Sequence, residues 1–291
     1  MSYPKADPLN FLGIRDDICS LENARVVIFP IPYEMTTSFI KGTSRAALRI
    51  IEASDHLELY EEEMGWEPWK IGISTLEPIE IVHDVEEMIK RIESATKWLI
   101  SLNKFPVFLG GEHTISFPVV KGFKDSGFKF SVIQLDAHAD LREIYEGTKW
   151  SHACVMRRIT ELGIKIAGVG VRAISSEEVE FVRTNPEKYK LFEIEDLESP
   201  MWKEELMNFL EENVYISVDL DVFDPSEIPS VGNPEPGGMR WKEIISVIKN
   251  ICRNKKVIGA DFTELAPQPF NHHSEYTVAK LIYKLISFVF G

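Results

Sequence analysis

Lys129-Phe130-Ser131-Val132-Ile133-Gln134-Leu135-Asp136-Ala137-His138-Ala139-Asp140 is the stretch on which the reading of this chain turns. Its first part, Lys129–Asp136, has the short apolar run of a buried strand. Its second part sets Asp136, His138 and Asp140 at alternate positions, with Ala137 and Ala139 between them. Alternate residues of an extended segment point the same way, so the three polar side chains are expected to project into one space. The small alanines leave the opposite face easy to pack. Two carboxylates and an imidazole forced together resist ionisation, and a divalent cation removes that cost.

The same grammar recurs on both sides of this stretch. Apolar runs at Arg25–Ile31, Phe105–Leu109, Ile164–Val171, Asn213–Asp219 and Lys256–Phe262 read as strands. Helical spacing falls at Ser44–Glu62, Asp84–Leu102, Ser151–Leu162, Ser175–Thr184, Trp202–Glu212, Arg240–Ile251 and Thr277–Phe288, with Asp84 placed to cap its helix. Strands that are apolar throughout and separated by helices predict an α/β fold with a parallel sheet covered on both faces. In such sheets ligands bind beyond the carboxyl ends of the strands. The polar clusters should therefore follow the strands.

They do. Gly110-Gly111-Glu112-His113 follows Phe105–Leu109, the glycines leaving room for a neighbouring loop. Asp219-Leu220-Asp221 ends the strand of Asn213–Val218, with two carboxylates at i and i+2 and Asp224-Pro225 close behind. Paired charges at the end of such a strand call for a ligand. Taken together, His113, Asp136, His138, Asp140, Asp219 and Asp221 suit two divalent ions, and an oxygen-rich set favours Mn²⁺ or a similarly hard ion. Two ions about 3.5–4 Å apart can share a water and lower its pKa, which supports hydrolysis of a poorly electrophilic centre. His152 follows the loop leaving Asp140 and could shuttle protons. Glu264 follows the last strand and could bind a cationic group. His56 and His83 have no partner pattern, and His272-His273 has no carboxylates around it, so none is read as a ligand.

Composition narrows the classes of partner. The chain has 291 residues, 44% hydrophobic, and a formal net charge of −14. That charge argues against nucleic acid or an anionic membrane and would attract a small cation. Cys19, Cys154 and Cys252 are too few and too widely spaced for a disulfide framework and read as reduced intracellular thiols. Met1 to Leu9, containing Pro4, Lys5, Asp7 and Pro8, lacks the apolar stretch of a signal peptide, and no apolar run is long enough to span a bilayer. A cytoplasmic location is expected.

The ordered set Gly110–His113, Asp136–Asp140 and Ser217-Val218-Asp219-Leu220-Asp221-Val222-Phe223-Asp224-Pro225 resembles the ureohydrolases, the arginase and agmatinase family, and is most similar to its agmatinase branch. Asn233-Pro234-Glu235-Pro236-Gly237-Gly238, Thr36-Thr37-Ser38-Phe39 and Gly42-Thr43 extend the likeness, which runs from about Phe29 to Ala279. The resemblance implies one ureohydrolase domain over 1–291, a three-layer α/β/α fold around an eight-stranded parallel sheet, and two Mn²⁺ per chain. It implies that His113, Asp136, Asp140 and Asp219 hold one ion and Asp136, His138, Asp219 and Asp221 the other, with Asp136 and Asp219 bridging. It further implies that a bridging hydroxide, oriented by Asp140, attacks the guanidinium carbon. His152 would assist the leaving amine, and Glu264 would hold the guanidinium. Urea and an amine would be the products, and a homo-oligomer, trimer or hexamer, is expected.

The chain departs from the family in three places. Pro229-Ser230-Val231-Gly232-Asn233-Pro234-Glu235 stands where Pro-Gly-Thr-Gly-Thr-Pro-Glu is common. Pro267–Asn271 lacks a usual Asp, and Ala46-Ala47 replaces a Gly-Pro. The arginase loop that takes an amino-acid head group is replaced by Leu141-Arg142-Glu143-Ile144-Tyr145-Glu146-Gly147-Thr148-Lys149-Trp150. Its loss, with Glu143 and Glu146 as binders of a distal amine, favours agmatine, which would give putrescine and feed polyamine synthesis. Arg142 argues for a carboxylate-bearing substrate such as guanidinobutyrate, and arginine is the other alternative. A silent binding protein on the same fold is the rival from a different class.

Overall fold

The structure, a computed structural model, describes residues 9–15, 17–199 and 201–291. The first eight residues, on which the reading of the N-terminus rests, lie outside the described residues. Eight strands form one sheet: β1 (Val26–Ile31), β2 (Ile73–Thr75), β3 (Phe105–Gly110), β4 (Ser131–Leu135), β5 (Ile166–Val171), β6 (Tyr189–Glu193), β7 (Asn213–Asp219) and β8 (Lys256–Thr263). Their order is β2-β1-β3-β8-β7-β4-β5-β6, and every neighbouring pair is parallel. The helices are α1 (Ala46–Ser54), α2 (Val85–Ser101), α3 (Ser116–Asp125), α4 (Val155–Glu161), α5 (Ser176–Thr184), α6 (Trp202–Phe209), α7 (Trp241–Asn254) and α8 (His273–Phe290).

Successive strand residues feed two different cores, as a pleated strand requires. Val26, Ile28, Val107, Leu109, Ile133, Leu135, Ile216 and Val218 pack toward α1, α7 and α8. Val27, Phe29, Phe108, Val132 and Tyr215 pack toward α2, α3 and α4. Both faces being buried is why the strands read as continuous apolar runs. No helix among the described residues is long and apolar enough to cross a membrane.

Three elements were not read from the sequence, and two were read too long, α6 ending at Phe209 instead of Glu212. β2 has three residues and β6 carries Lys190 and Glu193, so neither edge strand shows an apolar run. Pro118 and Gly122 masked α3. Gly122 is there because α3 lies against α2: a Cβ on it would stand 2.7 Å from Thr96 Cβ. α1 stops at Ser54 instead of continuing to Glu62. Beyond it Glu61 is buried, pairs with Lys284 of α8 at 2.5 Å and accepts the Met64 N–H at 2.9 Å, which turns the chain away from the helix axis.

The order of strands decides where the chemistry falls. β3 and β4 follow one another in sequence, yet β8 and β7 lie between them. Residues leaving β3, β8, β7 and β4 therefore meet at one edge of the sheet. These exits carry His113, Glu264, Asp219–Asp221 and Asp136–Asp140.

Candidate metal centre

His113 begins the turn after β3 and is fully buried. Its Nδ1 lies 3.0 Å from Asp140 Oδ2, 3.2 Å from Asp136 Oδ2 and 3.4 Å from Asp219 Oδ2. One ring nitrogen has either one proton or one lone pair, so it cannot satisfy three carboxylates. A cation among them can. A second group joins the first through Asp136. His138 Nδ1 lies 2.9 Å from Asp221 Oδ2 and 3.7 Å from Asp136 Oδ1. Among the described residues, the two groups whose donor atoms converge closely enough to hold an ion are His113–Asp136–Asp140 and Asp136–His138–Asp221, so Asp136 faces both with different oxygens.

The backbone reaches this arrangement in ways that alternation alone did not anticipate. Asp140 has φ +53°, so its carboxylate enters through a left-handed turn and not through continued extension. Its carbonyl accepts the Met156 and Arg157 N–H groups at the start of α4. Asp221 arrives through a 3₁₀ turn, Leu220–Val222, which Asp219 Oδ1 caps by accepting the Asp221 N–H at 2.9 Å. Gly111 has the role expected of it: a Cβ there would collide with the Tyr33 carbonyl.

The electrostatics suit a cation at the cluster. Burial, then the charges of Asp140 and Asp221, raise the pKa of Asp136 above its ordinary range. Burial, then Asp221, Asp136 and Glu264, raise that of Asp219. Burial works to lower the pKa of His138, but the charge and hydrogen bond of Asp221 outweigh it and hold it at about 10. Metal binding reverses these tendencies, favouring ionised carboxylates and neutral imidazoles.

Buried partners orient the cluster. Gln134 Nε2 donates to Asp136 Oδ2 at 2.7 Å while Tyr189 Oη donates to Gln134 Oε1 at 2.8 Å. His113 Nε2 lies 2.9 Å from Ser217 Oγ, which donates to Asp261 Oδ1 at 2.8 Å; Tyr215 Oη donates to Asp261 Oδ2 at 2.7 Å. Such partners fix ring orientation and basicity at metal sites. Sequence reading missed all of them. Asp261 had left a signal, a carboxylate inside an otherwise apolar strand. Arg172 was missed as well. Its guanidinium donates to the carbonyls of Gly170, Asp221, Val222, Phe223, Glu235 and Pro236, tying the exit of β5 to that of β7.

A cavity of about 530 Å³ opens over the cluster, lined by His138, Asp140, Asp219 and Asp221 together with His152 and Glu264. Its size is ordinary for a small-molecule site. Glu264, at φ +65°, accepts the His113 N–H on Oε1 at 2.7 Å, while its buried Oε2 has no hydrogen-bond partner among the described residues. The unusual Ser230–Asn233 segment supports it: Gly232 N donates to the Glu264 carbonyl at 3.1 Å, and Ala266 N to the Ser230 carbonyl at 2.8 Å. His152 is buried beside the cavity, with its Nδ1 3.3 Å from Thr36 Oγ1 and its ring edge-on to Tyr145. Thr36 is in turn held by Glu112, which accepts its N–H at 2.6 Å and its hydroxyl at 2.8 Å.

Glu143 and Glu146 are not brought to this cavity. Glu143 pairs with Arg157 at 2.9 Å and Arg158 at 3.2 Å. Glu146 lies at the tip of a short turn closed by Tyr145 and Thr148. Arg142 does line the cavity, with its guanidinium 5.3 Å from the Tyr145 ring centre.

Fold and site together define an α/β protein with a paired carboxylate–imidazole centre at the carboxyl edge of a parallel sheet. The sequence model of the Arginase family matches residues 24–287, and the chain belongs to that family. It is 38% identical to the N(1)-aminopropylagmatine ureohydrolase of Synechocystis, with 97% of this chain and 94% of that protein aligned. It is 32% identical to the agmatinase of Pyrococcus horikoshii, over 91% of this chain and 92% of the relative. Among solved structures, the agmatine ureohydrolase of Thermoplasma volcanium superposes with a TM-score of 0.85 at 31% identity, covering 99% of this chain and 95% of that one.

Proposed function

We propose that this chain is an agmatinase-type ureohydrolase that hydrolyses the guanidino group of a cationic, carboxylate-free substrate. The observation that carries this reading is Glu264 Oε2, a buried carboxylate oxygen without a hydrogen-bond partner among the described residues, in the same cavity as the carboxylate–imidazole cluster. A guanidinium supplies the paired, charged N–H groups such a carboxylate lacks. His113, Asp136, Asp140, Asp219, His138 and Asp221 would hold the two ions, which we assign as Mn²⁺ from the oxygen-rich donor set. When bound, the ion pair supplies a water that ionises near neutral pH.

The protein's own groups account for the rest. Glu264 holds and orients the guanidinium so that its carbon faces the cluster. Asp140, at the junction of cluster and cavity, orients the attacking water. Thr36 commits its only hydroxyl proton to Glu112, and Thr36 Oγ1 and Ser151 Oγ each stand 3.3 Å from His152 Nδ1, which holds that edge of the ring. His152 is the group placed to exchange a proton with the leaving amine. Urea and a diamine are the products.

Agmatine is our first choice of substrate. A second reading, N(1)-aminopropylagmatine, is favoured by the relatives of 35–38% identity that carry that name. Urea release from agmatine, N(1)-aminopropylagmatine, arginine and guanidinobutyrate with added Mn²⁺ tests the proposal. Turnover of either amine-tailed compound well above arginine and guanidinobutyrate is expected, and a preference for arginine would move the activity to arginase.

A further inference from the structure

We infer that Glu235 recognises the distal ammonium of the substrate, an assignment that rests on the ureohydrolase reading. The cavity carries six carboxylates, and five are already committed. Asp140, Asp219 and Asp221 belong to the cluster, and Glu264 faces the guanidinium position. Glu178 is tied to backbone and Ser175: Oε1 accepts the Leu141 N–H at 2.9 Å, and Oε2 accepts the Ser175 N–H at 2.8 Å and its hydroxyl at 2.7 Å. Glu235 remains. Its side chain is 40% exposed, and its nearest charged partner is His138 Nε2, 3.9 Å from Oε1.

The loop holds this carboxylate in place from behind. The Glu235 carbonyl accepts Arg172 Nη2 at 2.8 Å. Asp224 Oδ2 accepts the Gly237 and Gly238 N–H groups at 2.9 and 3.2 Å. Backbone clamps on both sides leave the Glu235 side chain as the free element at the rim. It stands on the His138 side of the cavity, whereas Glu264 is tied to the His113 backbone. A substrate with a guanidinium at one end and an ammonium at the other meets a carboxylate at each end. Neither nearby cation makes an ion pair with the Glu235 carboxylate: Arg172 acts on it through charge alone, its N–H groups being spent on backbone carbonyls, and Arg142 lies over Tyr145. Glu143 and Glu146, outside the cavity, do not compete for this role.

The test compares agmatine with n-butylguanidine, which has the same guanidine and four-carbon chain but no amine, in wild type and Glu235→Gln. The side chain is half-exposed, so the variant should fold and keep its metal content, which elemental analysis checks. For agmatine, kcat/KM should fall about tenfold, mostly through KM, and n-butylguanidine should change less than about twofold. Calorimetry should show 1,4-diaminobutane binding weakened by a similar factor. Glu235→Lys should shift preference toward 4-guanidinobutyrate. Equal loss on both guanidines would overturn the assignment and place Glu235 behind His138. No loss on either would overturn it and put the ammonium site elsewhere. Wild-type protein that releases urea from neither compound would defeat the ureohydrolase reading itself, and this inference with it.

Discussion

Glu264 accepts the backbone N–H of His113 at 2.7 Å, so the carboxylate proposed to hold the guanidinium is bonded to the residue whose imidazole faces the metal position. Substrate and metal sites are thereby held in register. Glu264→Gln keeps an oxygen that can accept this bond and removes the charge. It should raise KM and lower kcat, for a loss in kcat/KM of about 10–100-fold, with metal content unchanged. Metal lost in the Gln variant would show that Glu264 supports the cluster more than the substrate.

Asp136 turns different oxygens toward His113 and His138, at 3.2 and 3.7 Å. Asp136→Ala should therefore strip most bound metal, whereas His113→Ala should keep about one ion per chain. Elemental analysis of the two variants decides it, and equal stoichiometry would refute the bridging role.

His152 is placed by Thr36, whose position is set by Glu112. His152→Ala should lower kcat by about 10²–10⁴-fold with KM little altered. Thr36→Val, which removes only the hydroxyl, should lower kcat by less, again with KM little altered. An unchanged kcat would remove Thr36 from the argument.

Metal and proton compete for the same groups. The folded protein holds the His138 pKa at about 10, above its ordinary 6.5. A group raised on folding stabilises fully below its unfolded pKa, and that contribution is lost as pH rises through the folded pKa. The Asp136 and Asp219 carboxylates, also raised, act with the same sign. The melting temperature of metal-free protein should fall between about pH 3.8 and 10, through Asp136 first and His138 last, and Mn²⁺ should oppose the fall while releasing protons into the buffer. At about a thousand times its Kd, the metal adds about 4 kcal/mol to stability. Calorimetry in buffers of different ionisation enthalpy would expose the absence of proton release.

Much of this was legible in the chain because periodicity and strand-end chemistry are local. Asp136, His138, Asp219 and Asp221 could be found from spacing, and the apolar strands said which edge of the sheet they share. The supporting groups were not legible, because their meaning is in the pairing of distant segments. Ser217 acquires a role only when β8 sets Asp261 beside it in register, and Arg172 only when the exits of β5 and β7 meet. Glu143 misled for the converse reason. An acidic residue in a loop says nothing about Arg157 and Arg158, which take it away from the cavity.

The central claim is that this cluster, loaded with metal, hydrolyses a guanidino group. The direct measurement is urea released from agmatine by protein stripped with chelator, then by the same sample after Mn²⁺ is restored. The account predicts no urea from the stripped sample and full recovery at about two ions per chain. Undiminished urea release from protein shown by elemental analysis to be metal-free would contradict it.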